Sequence, residues 1–183
     1  MSRIRTGTGL AEWRTLVMEA AGHVDEPLDE ELESYLVMTL ERFTREAHRL
    51  SGVMAMEFLE ALHHAGELRS REMRDVGDQC LLLAGLFPHR AQRRRVSMGY
   101  FVDLGAAAYQ EVSQYTSGAL ALLFRQLAQR FLGLTEVLHG IRDLSGTGAP
   151  GLLESLELAE SHPAYRGAPR LAGVSRPANR RHH

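Results

Sequence analysis

Asp29-Glu30-Glu31-Leu32-Glu33-Ser34-Tyr35-Leu36-Val37-Met38-Thr39-Leu40-Glu41-Arg42-Phe43-Thr44-Arg45-Glu46-Ala47-His48-Arg49-Leu50 decides the fold class. Leu32, Leu36, Leu40, Phe43, Ala47 and Leu50 recur every three or four residues, which brings them onto one face of a helix. Asp29, Glu30, Glu31 and Glu33 crowd its start, and Arg45, His48 and Arg49 its end. That order complements the partial positive charge at a helix N-terminus and the negative one at its C-terminus. The stretch predicts an amphipathic helix with its direction marked, stopped by Ser51-Gly52.

The same period extends outward in both directions. Upstream, Leu10, Trp13, Val17 and Ala20 predict a first helix stopped by Gly22 before a turn through Pro27. Downstream, Met54, Phe58, Ala61, Leu62 and Ala65 predict a third, closing at Gly66. Ser70 is positioned to cap a fourth, which runs through Met73, Val76, Cys80, Ala84 and Phe87 and ends at Pro88. Its Leu81-Leu82-Leu83-Ala84-Gly85-Leu86 segment is apolar all round, the mark of a helix enclosed by others. A fifth spans roughly Val96 to Tyr115, with Tyr100, Leu104, Ala107, Ala108 and Val112 expected inward. There Gly99, Gly105 and the Ala106 to Ala108 run leave it thin enough for close packing. A sixth runs from a Ser117 cap through Leu120, Phe124, Leu127, Phe131, Leu134, Leu138 and Ile141 with coiled-coil-like spacing.

The expected fold is therefore all-α: a bundle of about six helices over residues 1–142. Residues 143–183 are expected to hold a linker (Asp143 to Gly151), a short docked seventh helix on Leu152, Leu153, Leu156 and Ala159, and a flexible basic tail. No stretch alternates as a strand would, and no internal repeat is visible.

Composition removes several chemistries. All 21 basic side chains are arginine. Without lysine there is no Schiff base, no pyridoxal anchor and no Walker-A loop. The single cysteine, Cys80, excludes an intramolecular disulfide and multi-thiolate zinc sites, and it reads as a small core residue. No apolar run reaches the roughly 18–20 residues that span a bilayer, and Met1 to Leu10 lacks a secretory signal, so the expected location is the cytoplasm. Charge is uneven. Beyond Glu160 there is no acidic residue, while Arg166, Arg170, Arg176, Arg180 and Arg181 make the tail +5; against −2 for the whole chain, the body carries −7. An acidic body disfavours nucleic-acid binding, which depends on neutralising phosphates.

Two segments carry a resemblance: Leu28 through Val37, and Gly77-Asp78-Gln79-Cys80 through Gly85-Leu86-Phe87-Pro88 to Tyr100-Phe101-Val102-Asp103-Leu104-Gly105. Together they resemble an uncharacterised bacterial family of small helical proteins, over about the first three quarters of the chain. The resemblance implies a helical fold and no activity.

Two Glu-x-x-His motifs, Glu60 with His63 and Glu136 with His139, are half of a di-iron carboxylate pattern, with Glu41 and Glu111 available to complete it. With 9 histidines in the chain about one such motif arises by chance. At 100° per residue all four also point away from the core direction of their helices. The expectation is therefore surface residues and no metal or other cofactor, with the di-iron oxidase as a third reading and nucleic-acid binding through the tail as the weakest.

Asp103 is the residue most out of place, set among Tyr100, Phe101, Val102 and Leu104 at the predicted edge of the core face. If buried it needs a partner such as Arg90 or Arg94. The run His89-Arg90-Ala91-Gln92-Arg93-Arg94-Arg95 can hold an oxyanion. Asp103, Tyr100, His89, Arg90, Arg93 and Arg94 thus form a candidate ligand or anion site. The leading expectation for function is a non-enzymatic protein-interaction or regulatory protein, self-associating as a homodimer or binding a protein partner. A small-ligand binder or enzyme using the Asp103 region is the alternative.

Overall fold

The computed structural model describes residues 9–46, 54–88 and 97–145. Among them the chain forms seven α-helices: α1 (Gly9–His23), α2 (Glu30–Arg45), α3 (Met54–His63), α4 (Gly66–Gly85), α5 (Met98–Tyr115), α6 (Gly118–Gln129) and α7 (Phe131–Ser145). No strand occurs among the described residues, and the fold is all-α. The helix expected over Leu152 to Ala159, the basic tail and the His89 to Arg95 run lie outside the described residues.

α2 forms as its sequence dictates. The Asp29 carboxylate caps it, accepting from the Leu32 amide at 2.9 Å, and Leu32, Leu36, Leu40 and Phe43 are buried. Other boundaries shift, each for a local reason. α1 runs past Gly22, and the left-handed residue that stops it is Asp25 at φ 53°, with the Glu26 amide closing on the Ala21 carbonyl at 3.0 Å. That is a Schellman closure with aspartate in the usual glycine position. α3 ends at His63, and Gly66 opens α4 at φ +59° rather than closing α3, so Ser70 lies inside α4 and caps nothing.

α4 is the hub. From Val76 to Gly85 it is buried on every side, as its all-round apolar second half required. It packs most extensively on α5 and also meets α3 and α7. Close approach depends on missing side chains. A Cβ on Gly105 of α5 would collide with the Phe131 ring and Cys80, and one on Gly85 of α4 would collide with Leu138.

α5 is rotated about one residue from expectation. Phe101, Gly105, Ala108, Tyr109 and Val112 face inward, whereas Tyr100 and Ala107 are exposed. In a Gly/Ala-rich helix the small residues give little contrast between faces, and the large Tyr109 and Phe101 rings set the orientation.

The single long sixth helix of the sequence reading is two helices, broken at Arg130 (ψ 15°). Arg130 explains the break. Its guanidinium reaches back to the Glu26 carboxylate, with Nε at 3.0 Å, and donates to the Pro27 carbonyl, tying the junction to the α1–α2 turn. The change of direction brings Phe131 against Gly105 and within 5.6 Å of the Tyr109 ring.

Candidate functional site

The polar centre of the bundle is Asp78 on α4, with 0% of its surface exposed. Its burial follows from its place in the helix: Leu81, Leu82 and Gly85, at +3, +4 and +7, are all buried and share its face. Two phenols donate to Oδ1 at 2.6 Å, Tyr35 from α2 and Tyr109 from α5. Arg42 Nη2 donates to Oδ2 at 2.6 Å, and Arg74 Nε lies 3.7 Å from the same oxygen. Tyr35 and Arg42 are seven residues apart, two turns on one face of α2, so a single helix supplies two of the donors. Gly77 makes room for the third, since a Cβ there would lie 2.5 Å from the Tyr109 ring.

A buried carboxylate costs several kcal/mol unless it is paired and hydrogen-bonded. Here every named partner is a donor, so the group is held as the carboxylate. Burial still pushes the Asp78 carboxyl above its ordinary range, opposed by Arg42, the two phenols and Arg74. The phenols of Tyr35 and Tyr109 are pushed well up, first by burial and then by the negative charge of Asp78. The Phe124 ring stacks edge-on to Tyr35 at 5.5 Å and tilted to Tyr109 at 5.7 Å, closing the centre on its far side. The arrangement ties α2, α4 and α5 together and leaves no room at Asp78 for a ligand.

Arg42 leads out of this centre. Its Nη1 donates to Asp75 at 3.0 Å, one turn back along α4, and its guanidinium lies 4.8 Å over the Phe43 ring. Asp75 and Phe43 line a half-open cavity of about 280 Å³ between α2, α3 and α4, together with Glu57, Glu60, Glu72, Val76 and Gln79. Four of its seven lining residues are carboxylates and the rest of the wall is largely apolar. The Glu72 carboxylate is 2.5 Å from His64 Nδ1. The Gln79 side chain, 6% exposed, donates from Nε2 to Glu57 at 3.2 Å, while its buried Oε1 has no donor. Beside the Glu57 and Glu60 stripe, α3 turns Met56 and Leu59 outward, each 56% exposed.

The residues singled out from sequence are dispersed. Tyr100 and Asp103 are exposed on α5, so Asp103 requires no buried counter-charge. His89, Arg90, Arg93 and Arg94 lie outside the described residues. Glu60, His63 and Glu136 are exposed, as their helix angles predicted. His139 differs: it is half-buried, and its Nε2 meets the Ala84 carbonyl at 3.0 Å. That carbonyl would serve residue 88 in a continuing helix, but Pro88 has no N–H, so the imidazole replaces the missing donor. Among the described residues no three His, Cys, Asp or Glu side chains group to hold a metal.

Asp78, Tyr35, Tyr109 and Arg42 were missed by sequence reasoning. The signal was present: an aspartate within a turn of Leu81 and Leu82, four residues after Arg74, on a helix otherwise enclosed. Cys80 is buried as expected, and burial pushes its thiol up, with Glu57 adding to the shift. No helix among the described residues is long and apolar enough to cross a membrane. No family model, no curated protein and no solved structure matches the chain.

Proposed function

We propose that this chain is a non-enzymatic protein-interaction or regulatory module of the cytoplasm, and that its binding face is the α3 edge beside the acidic cavity. The observation that carries the reading is how little of α3 the fold covers. Only Met54 and Ala61 of its ten residues are buried, and among the other helices it packs chiefly on α4. Met56 and Leu59, one turn apart, form an outward apolar pair on a helix whose next stripe opens into a cavity. Scattered exposed leucines are ordinary on a protein surface, but an apolar pair at the rim of a concave polar site has the make-up of a contact surface. The buried Asp78 centre supports the non-enzymatic part: the most perturbed groups are consumed in holding helices together.

The test is a photo-crosslinking side chain placed at position 59 in the full-length chain, with position 18 as control. Met18 is 58% exposed on α1, close to the exposure of Leu59. Adducts to a protein from position 59 and not from position 18 are the expected result. Equal labelling from both positions, or none from 59, overturns the reading.

A further inference from the structure

Resting on that reading, we infer that the partner is a basic amphipathic segment, which lays an apolar pair on Met56 and Leu59 and inserts a guanidinium or ammonium group into the cavity. Charge complementarity selects the sign. The lining brings Glu57, Glu60, Glu72 and Asp75 to one concavity, where Arg42 bonds Asp75, His64 meets Glu72 and Gln79 donates to Glu57, so acidic side chains predominate on its wall and Glu60 stands exposed at its rim. Arg42 already shows how a guanidinium sits on this wall, bonded to Asp75 and covering Phe43.

Size selects a side chain over a free ligand. The cavity, at about 280 Å³, lies just below the range of small-molecule pockets, roughly 300–1,000 Å³. It suits one basic head group. A metal ion is the poorer occupant, because no three metal-ligating side chains among the described residues converge. The outward residues of α3 add the second half of the recognition. Methionine adapts its shape to a partner's side chains, and helix-in-groove binding is read through apolar anchors one turn apart. A segment with apolar residues at i and i+4 and arginines on the adjoining stripe meets both halves at once.

The experiment uses full-length protein and two fluorescent peptides of the same leucine spacing, one carrying arginines and the other glutamates at the polar positions, followed by anisotropy. The arginine peptide binds saturably, with an affinity that falls as salt is raised, and the glutamate peptide does not bind. Leu59→Asp weakens binding at least tenfold. The double variant Glu60→Gln with Glu72→Gln weakens it several-fold and flattens the salt dependence, while Glu136→Gln, on exposed α7 surface, leaves it unchanged. Equal binding of both peptides, or insensitivity to the Glu60 and Glu72 changes, overturns the inference. If position 59 crosslinks to a partner or to a second copy while the arginine peptide fails to bind, the interaction reading stands and the basic partner falls.

Discussion

Asp78 and the α3 cavity are two acidic regions joined by one arginine, and they differ in how far their carboxylates are withdrawn from water. At Asp78 the hydrogen bonds come from within the protein, from Tyr35 and Arg42 of α2 and Tyr109 of α5, and the carboxylate is wholly buried. At the cavity the carboxylates of Glu57, Glu60, Glu72 and Asp75 are half-buried or exposed and reach solvent. The same residue type is structural in one place and available for contact in the other. Burial separates the two roles, not sequence composition.

The sharpest break of that comparison is Asp78→Ala. It leaves two buried phenols without their acceptor and Arg42 with Asp75 alone of its two carboxylates, and removing one partner of a buried ionic group costs about 3–5 kcal/mol. That is a large part of a typical domain's stability of roughly 5–15 kcal/mol. Urea unfolding followed by circular dichroism is expected to show a midpoint far below wild type. A loss under about 1 kcal/mol would mean that Asp78 is no keystone.

The phenols sharpen the comparison at intermediate size. A hydrogen bond to a charged group contributes about 1.5–3 kcal/mol, so Tyr35→Phe and Tyr109→Phe each lower stability by that order. The double variant loses more than the sum of the two if one phenol compensates for the other, and less if each strengthens the other's bond; the cycle measures that coupling. The same groups predict an alkaline response. Their folded pKa values lie above those of the unfolded chain, so their contribution is fully present below about pH 10 and is lost as pH rises further. In absorbance at 295 nm, two of the five tyrosines should stay un-ionised until the protein unfolds. All five ionising in one reversible step in the folded protein would contradict the buried centre.

Much of this was legible in the sequence, and the boundary is physical. α2 was clear because a wide apolar stripe, a capping aspartate and graded charge agree there. α4 was clear because nothing polar interrupts Leu81 to Leu86. The rotation of α5 was not, since Gly105 and Ala106 to Ala108 give both faces nearly equal bulk. The break at Arg130 was hidden because the apolar spacing continues straight across it, and the contact that bends the chain comes from Glu26, about a hundred residues away. Asp103 was singled out and Asp78 passed over for a related reason. Both sit in apolar company, and only the helix packed opposite tells which one turns inward. Asp103 meets solvent, while Asp78 meets Tyr35 and Arg42 from α2 and Tyr109 from α5.

The smallest expected effect is at the cavity, and its smallness is the point. Glu60→Gln removes an exposed charge from a helix that buries little, and Leu59→Ser removes an apolar side chain already more than half in water. Substitutions of this kind away from caps and buried pairs stay within about 0.5 kcal/mol of wild type. Urea midpoints for both variants are therefore expected to overlay the parent, while the same two changes weaken capture of the arginine peptide. The pairing matters more than either result. A stability loss comparable to that of the tyrosine variants would show that the α3 edge is part of the core's support, and its binding defect would then be a folding defect. Unchanged stability with weakened binding assigns the edge to contact, because a side chain that contributes nothing to the isolated fold and is still required for capture must act on the partner.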